Sequence, residues 1–128
     1  MIHNYQSPWF KEALELEGKL KINQLNTKET ADICIVGGGY TGLWTALKIK
    51  EKDPKVNIII IEKDLCGSGA SGRNGGCMIP LSSKFPAMEK IVGTKDAIRM
   101  VKASEEAINK ISDYCKLNEL DAQIRING

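Results

Sequence analysis

The 128-residue sequence lacks several features that mark membrane proteins, secreted proteins and nucleic-acid-binding proteins. Its longest unbroken aliphatic run is Ile58–Ile61, whereas a bilayer-spanning helix needs about 20 apolar residues, so we expect no transmembrane segment. No apolar stretch follows Met1, which predicts a cytoplasmic protein without a signal peptide. The formal net charge of +2 is too balanced for the basic stripe that nucleic-acid binding requires.

Cysteine and histidine are also scarce, with four cysteines, no C-x-x-C pair and one histidine in the chain. This pattern predicts reduced, scattered thiols and no metal site. The hydrophobic share of 42% and the charged share of 27% are ordinary globular values, which argue against disorder or a fibre. The length corresponds to about one domain.

Glycine, by contrast, is concentrated. Nine of the 12 glycines fall in two short segments, which we call the first glycine window (residues 37–42) and the second glycine window (residues 66–77). Glycine weakens a helix or strand by roughly 0.5–1 kcal/mol relative to alanine, so clusters this dense require a structural or functional reason.

The first window follows a predicted strand and precedes a predicted helix. Ala31–Val36 is short and rich in β-branched residues, which is typical of a buried strand. Apolar residues at helical spacing then predict a helix that ends at Asp53–Pro54, since proline disfavours helical geometry in the residue before it. Val56–Ile61 predicts a second buried strand. Residues 31–62 therefore form a predicted strand–helix–strand unit.

The flanking regions give weaker signals. We interpret residues 1–30 as an N-terminal arm that docks on a domain formed by residues 31–128, with a short apolar helical face near Trp9. A long helix is predicted over residues 94–118, with Thr94 as its N-cap and an inner stripe that includes Ile98. Ile124 and Ile126 alternate with polar residues, which predicts the start of a strand.

The first window reads Gly37-Gly38-Gly39-Tyr40-Thr41-Gly42, a G-x-G-x-x-G pattern in its expected context. The three pattern glycines allow a tight turn, a close approach of pyrophosphate to the backbone, and close helix–sheet packing. The helix N-terminus, including the Tyr40 N–H, suits a diphosphate. Glu62, 20 residues after Gly42, is placed to accept hydrogen bonds from a ribose. The alternative is a plain turn followed by a solvated carboxylate.

The second window reads Cys-Gly-Ser-Gly-Ala-Ser-Gly-Arg-Asn-Gly-Gly-Cys. Backbone N–H groups in such a loop can converge on an anion, Ser71 adds a hydroxyl donor, and Arg73 can grip a phosphate or carboxylate. Because a plain NAD site does not need this loop, it favours FAD.

Asp32–Gly42, Glu62 and especially the run from Gly69 to Gly76 resemble the flavin-dependent amine and amino-acid oxidoreductases of the D-amino-acid oxidase type, in particular the branch that contains γ-glutamylputrescine oxidase. The resemblance implies an α/β fold: a Rossmann-like FAD-binding βαβ unit with a glycine-rich second loop and a long C-terminal helix. It also implies FAD, hydride transfer from the C–N unit of a small amine or amino acid, imine hydrolysis, and reoxidation usually by oxygen. The cofactor-binding residues that it implies are Gly37, Gly39, Tyr40, Thr41, Gly42, Glu62, Lys63, Ala70, Ser71, Arg73, Asn74, Gly75 and Gly76.

Members of that family are several times longer than this chain. We therefore expect an N-terminal portion that is incomplete at its C-terminus, lacks the substrate domain and is inactive alone, and no catalytic residue can be assigned. Two alternatives stay open. One is a non-catalytic nucleotide-binding fragment, or a subunit completed by another chain; the other is an NAD-dependent reductase.

Overall fold

The computed structural model describes residues 7–18 and 24–126, which form two units divided between Gly75 and Gly76. Its helices and small parallel sheet confirm the mixed helix and strand composition predicted from the sequence. The predicted boundary between an arm (1–30) and a domain (31–128) remains a prediction. The first unit contains α1 (Pro8–Glu17), β1 (Ile33–Val36), α2 (Tyr40–Lys52), β2 (Ile58–Ile61) and a 3₁₀ turn at Ala70–Gly72; the second contains a 3₁₀ turn at Leu81–Lys84, α3 (Phe85–Val92) and α4 (Thr94–Leu117).

Strands β1 and β2 pair in parallel, with Ile33 opposite Ile58 and Cys34 opposite Ile59. Both strands begin two residues later than predicted. The reason is a link between Asp32 and Asn57: the Asp32 N–H donates to the Asn57 carbonyl at 3.0 Å, and the Asn57 N–H donates to the Asp32 carboxylate at 2.8 Å. Because a side chain takes the place of a backbone acceptor, the regular ladder starts only after this pair.

Helix α2 provides the crossover that two parallel strands require. It begins at the first glycine window with Gly39 as its N-cap, and it ends at Asp53, whose N–H donates to the Ile49 carbonyl at 2.8 Å. The lysines Lys50 and Lys52 occupy its last turn, where a positive charge is favourable to the helix dipole. The helix thus ends where the Asp53–Pro54 pair predicts.

The apolar surface of the sheet is largely open to solvent within the described part of the chain. Val36 is 85% exposed, and the remaining strand residues are at best half-buried. Parallel sheets in folded proteins are normally covered on both faces. The sheet therefore has apolar surface that residues 7–18 and 24–126 do not cover.

In the second unit, the short helix α3 and the long helix α4 meet at Gly93, whose φ of +80° favours glycine. Gly93 is the N-cap of α4, and its carbonyl accepts from the Ala97 N–H at 3.0 Å. The prediction that Thr94 is the N-cap is therefore wrong. Thr94 is already helical, and its hydroxyl donates to the Glu89 carboxylate at 2.8 Å instead.

The inner stripe of α4 is built partly from small residues. Ala97 is fully buried and Ser112 is 3% exposed, whereas Ile98, which the sequence placed inside, is 44% exposed. Small side chains allow a close approach at these positions. None of the helices in the described ranges is both long and apolar enough to cross a membrane.

Residues 119–126 contain no strand, so the strand predicted to begin at Ile124 and Ile126 is wrong for this segment. Glu119 and Gln123 have φ values of 54° and 48°, in the left-handed region. Such residues interrupt an extended backbone. Alternation of apolar and polar residues did not predict these turns.

Candidate functional site

The first glycine window joins the end of β1 to the start of α2 in a tight turn. The Gly37 N–H donates to the Ile61 carbonyl at 2.8 Å, so the chain leaves the sheet while still bonded to β2. The φ of Gly37 is +105°, which favours glycine. A Cβ at Gly42 would overlap the Gly37 carbonyl oxygen and lie 3.3 Å from the Ile35 side chain. Helix α2 therefore rests directly on β1 because position 42 has no side chain.

Only some of the backbone N–H groups at the N-terminus of α2 donate to acceptors in the described residues. The first turn of a helix leaves its N–H groups without intrahelical acceptors. Here the Tyr40 N–H donates to the Ser71 hydroxyl oxygen at 2.9 Å, and the Leu43 N–H donates to the Gly39 carbonyl at 3.0 Å. Between them, the N–H groups of Thr41 and Gly42 meet no acceptor in the described ranges. These two groups are donors that a bound anion could use.

Glu62 lies immediately after β2, and its carboxylate accepts hydrogen bonds from two backbone N–H groups. One oxygen accepts from the Gly38 N–H at 2.8 Å, and the other accepts from the Asp64 N–H at 3.1 Å. The hydrogen bond from Gly38, followed by that from Asp64, lowers the pKa of Glu62 below its ordinary value of 4.5, although partial burial opposes the shift. Glu62 is thus held ionised against the first glycine window.

The second glycine window lies against the first. The Gly67 N–H donates to the Gly38 carbonyl at 2.9 Å, and Gly67 has a φ of +82°. Gly38 is buried, and a Cβ there would overlap the Cys66 sulfur. A Cβ at Gly39 would lie 2.9 Å from the Ser71 hydroxyl oxygen. The two glycine windows are therefore neighbours in the fold, although they are separated in the sequence.

Two of the predicted ligand-binding side chains contact their own loop. The Arg73 Nε donates to the Ser68 carbonyl at 3.1 Å, and the Asn74 side-chain amide donates to the Ser71 carbonyl at 2.7 Å. Both contacts shape the turn that carries Ser71. A guanidinium has five N–H donors, so this one bond leaves Arg73 with capacity to bind an anion.

The remaining predicted residues lie at the margins of this arrangement. Lys63 is exposed next to Glu62, and Ala70 is exposed where the 3₁₀ turn begins. Gly75 is the last residue of the first unit, whereas Gly76, with a φ of +75°, is the first residue of the second. The structure thus brings the predicted residues up to Gly75 together within one unit.

The sequence predicted an arm that docks on the domain, but it did not predict that Ser7 and Phe10 contact the second glycine window. The Ser7 hydroxyl donates to the Gly72 carbonyl oxygen, and the Phe10 ring packs on Gly72 and Gly67. Ser7 followed by Pro8 is an ordinary signal for a helix start. Nothing local in that signal indicates a partner 65 residues away.

A comparison with protein-family models decides the family. The model described as FAD dependent oxidoreductase matches residues 32–128, which is well over half of the chain. The chain belongs to the FAD-dependent oxidoreductase family. The resemblance inferred from the two glycine windows is therefore confirmed, and the chain has curated relatives that are named as oxidoreductases.

Among the relatives of this member of the family is the gamma-glutamylputrescine oxidoreductase of Escherichia coli, 35% identical over 105 residues that cover 81% of this chain and 24% of that protein. A protein of Haemophilus influenzae named "Probable oxidoreductase OrdL" is 38% identical over 86 residues, covering 66% of this chain and 20% of the relative. A Saccharomyces cerevisiae protein named "Probable electron transfer flavoprotein-ubiquinone oxidoreductase, mitochondrial" is 36% identical over 69 residues, covering 48% of this chain and 11% of the relative. No solved structure matches significantly.

Proposed function

We propose that residues 31–75 form a Rossmann-like unit that binds the diphosphate and adenosine ribose of FAD. The observation that carries the proposal is that the two glycine windows meet at the N-terminus of α2. Two hydrogen bonds join them, from the Gly67 N–H to the Gly38 carbonyl and from the Tyr40 N–H to the Ser71 hydroxyl. A glycine-rich turn at a helix N-terminus is a general device for binding phosphate groups. The second window adds donors from a separate segment of the chain.

The shape and donor set of this region fit a diphosphate. Side chains are absent from Gly39 and Gly42, and a Cβ at either position would collide with a neighbour. The Thr41 and Gly42 N–H groups supply donors, while the Ser71 hydroxyl accepts from Tyr40 and still carries one hydrogen to donate. The donors therefore come from both windows, which are joined where the Tyr40 N–H meets the Ser71 hydroxyl.

Glu62 supports the assignment of a ribose with a free 2′-hydroxyl. Its carboxylate already accepts two backbone hydrogen bonds, and a carboxylate can accept about four. The two bonds fix its orientation at the end of β2, and its negative charge would repel a 2′-phosphate. We infer that Glu62 orients the adenosine ribose and that Lys63 lies beside the adenine.

The substrate assignment rests on the relatives. When bound, FAD supplies a two-electron acceptor for the oxidation of a carbon–nitrogen bond by hydride transfer. The name of the Escherichia coli relative includes gamma-glutamylputrescine, an amine. Because this chain spans 24% of that relative, we propose only a small amine or amino acid as the substrate class, and we assign no catalytic residue.

The cofactor proposal is tested on protein expressed from its complete natural gene. We expect visible flavin absorption after purification, or a rise in melting temperature when FAD is added to apoprotein. Parallel titration with NADH provides the comparison. Binding of NADH without binding of FAD would overturn the proposal and favour a nicotinamide-dependent reductase.

The exposed sheet surface supports a second proposal, namely that another polypeptide chain completes this unit. Val36 is 85% exposed although it is a strand residue, and unpaired strand edges favour pairing with a further strand. Size-exclusion chromatography of the purified protein tests the idea. A monomer that binds FAD without any co-purifying chain would contradict it.

A further inference from the structure

The Ser7 hydroxyl, at the N-terminal end of α1, is hydrogen-bonded to the second glycine window. The Ser7 oxygen accepts a hydrogen bond from the Phe10 N–H at 3.1 Å, which caps the helix. The same hydroxyl donates its proton to the Gly72 carbonyl oxygen. Capping requires only an acceptor, so the donated hydrogen bond serves the loop rather than the helix.

The Phe10 ring packs on the same loop at both of its ends. A Cβ at Gly72 would lie 2.9 Å from one ring carbon, and a Cβ at Gly67 would lie 3.6 Å from another. A Cβ at Gly72 would also overlap the Gly67 carbonyl oxygen, so glycine at position 72 makes room for that backbone oxygen as well as for the Phe10 ring. Together Ser7 and Phe10 contact the two residues that bracket the segment 68–71.

That segment carries the contact with α2. Gly67 is bonded to Gly38 at one end, and Ser71 accepts from the Tyr40 N–H near the other end. Glycine-rich loops have many accessible backbone conformations, and ordering such a loop during ligand binding lowers affinity. A loop that is already held in its binding conformation avoids this loss.

We propose that Ser7 and Phe10 are positioning residues for the cofactor: they hold the loop 67–72 so that Ser71 stays at the N-terminus of α2 before FAD binds. The inference rests on the proposed FAD site and adds that the arm organises it. In the described part of the arm, Ser7 and Phe10 contact Gly72 and Gly67, so these two residues act on the cofactor through the loop.

Substitutions at Ser7 separate the two roles of its hydroxyl. Ser7→Asp keeps an N-cap acceptor but has no proton to donate to Gly72, whereas Ser7→Thr keeps both functions. Phe10→Ala removes the ring. Trp9→Ala is the matched control, since Trp9 is an aromatic residue in the same helical turn and is 62% exposed.

Each variant, made in the protein expressed from its complete natural gene, is stripped of flavin and titrated with FAD. Amide hydrogen exchange of residues 67–72 is measured on the same apoproteins. We expect Ser7→Asp and Phe10→Ala to weaken FAD binding about tenfold and to speed exchange at Gly67, with little change in melting temperature. Ser7→Thr and Trp9→Ala should match the wild type in both measurements.

The two proposals fail in different ways. Wild-type apoprotein that does not bind FAD overturns the proposed function, and the positioning role with it. Wild-type apoprotein that binds FAD, together with Ser7→Asp that binds equally well and exchanges at the wild-type rate, overturns the positioning role alone. If Phe10→Ala does not fold, the comparison of Ser7→Asp with Ser7→Thr decides the result by itself.

Discussion

Replacement of Gly42 by alanine tests whether α2 must rest directly on β1. The new Cβ would overlap the Gly37 carbonyl oxygen and lie 3.3 Å from the Ile35 side chain. The overlapping neighbour is backbone, so it cannot rotate away, and the helix has to move. Overpacking of this kind costs roughly 1–3 kcal/mol. Alanine in place of glycine returns about 1 kcal/mol of helix propensity, so we expect a net loss of up to about 2 kcal/mol in the free energy of unfolding.

Gly69→Ala is the matched control for this substitution. A Cβ at Gly69 would meet no atom within 4 Å, so alanine there meets no steric overlap, although the backbone at φ −78° and ψ −146° lies outside the α and β regions. Alanine restricts the unfolded chain but is strained in this conformation, so we expect a smaller loss of stability than at Gly42.

The measurement for both glycine variants is urea unfolding of the apoprotein, followed by circular dichroism, with FAD titration alongside. A shift of α2 should also weaken FAD binding, because the donors at Tyr40, Thr41 and Gly42 move with the helix. Equal stability of Gly42→Ala and Gly69→Ala would refute the argument that position 42 is glycine because of close helix–sheet packing.

Two further predictions concern Glu62 and Ser112. Because the lowered pKa of Glu62 favours its ionised form in the folded state, its contribution to stability is present above pH 4.5 and is lost as the pH falls through the lowered pKa. The difference in unfolding free energy between the wild type and Glu62→Gln should therefore shrink on acidification, and a difference independent of pH would contradict this account. The Ser112 hydroxyl is buried without a hydrogen-bond partner in the described part of the chain. Ser112→Ala should raise the unfolding free energy by about 1 kcal/mol in thermal melts, and a loss of stability would show that the hydroxyl has a partner.

Short sequence patterns predicted the two strands and the helix between them, because these elements depend mainly on neighbouring residues. The sequence predicted both β-branched strands, at residues 33–36 and 58–61, to within two residues, and it predicted the helix between them. The pattern did not predict α3 (Phe85–Val92), the role of Gly93 as the N-cap of α4, or the irregular backbone at 119–126. These features depend on contacts between elements, such as that of Thr94 with Glu89, which no window of hydrophobic spacing contains.

The same division holds for the candidate site. The residues of both glycine windows and Glu62 could be named from the chain alone, because backbone freedom and helix-terminus chemistry are properties of short segments. Only the folded chain decides that Glu62 bonds to Gly38 across 24 residues, or that Ser7 reaches Gly72 across 65. Residue type determines which groups can bind a diphosphate, whereas the packing of distant segments determines which of those groups meet.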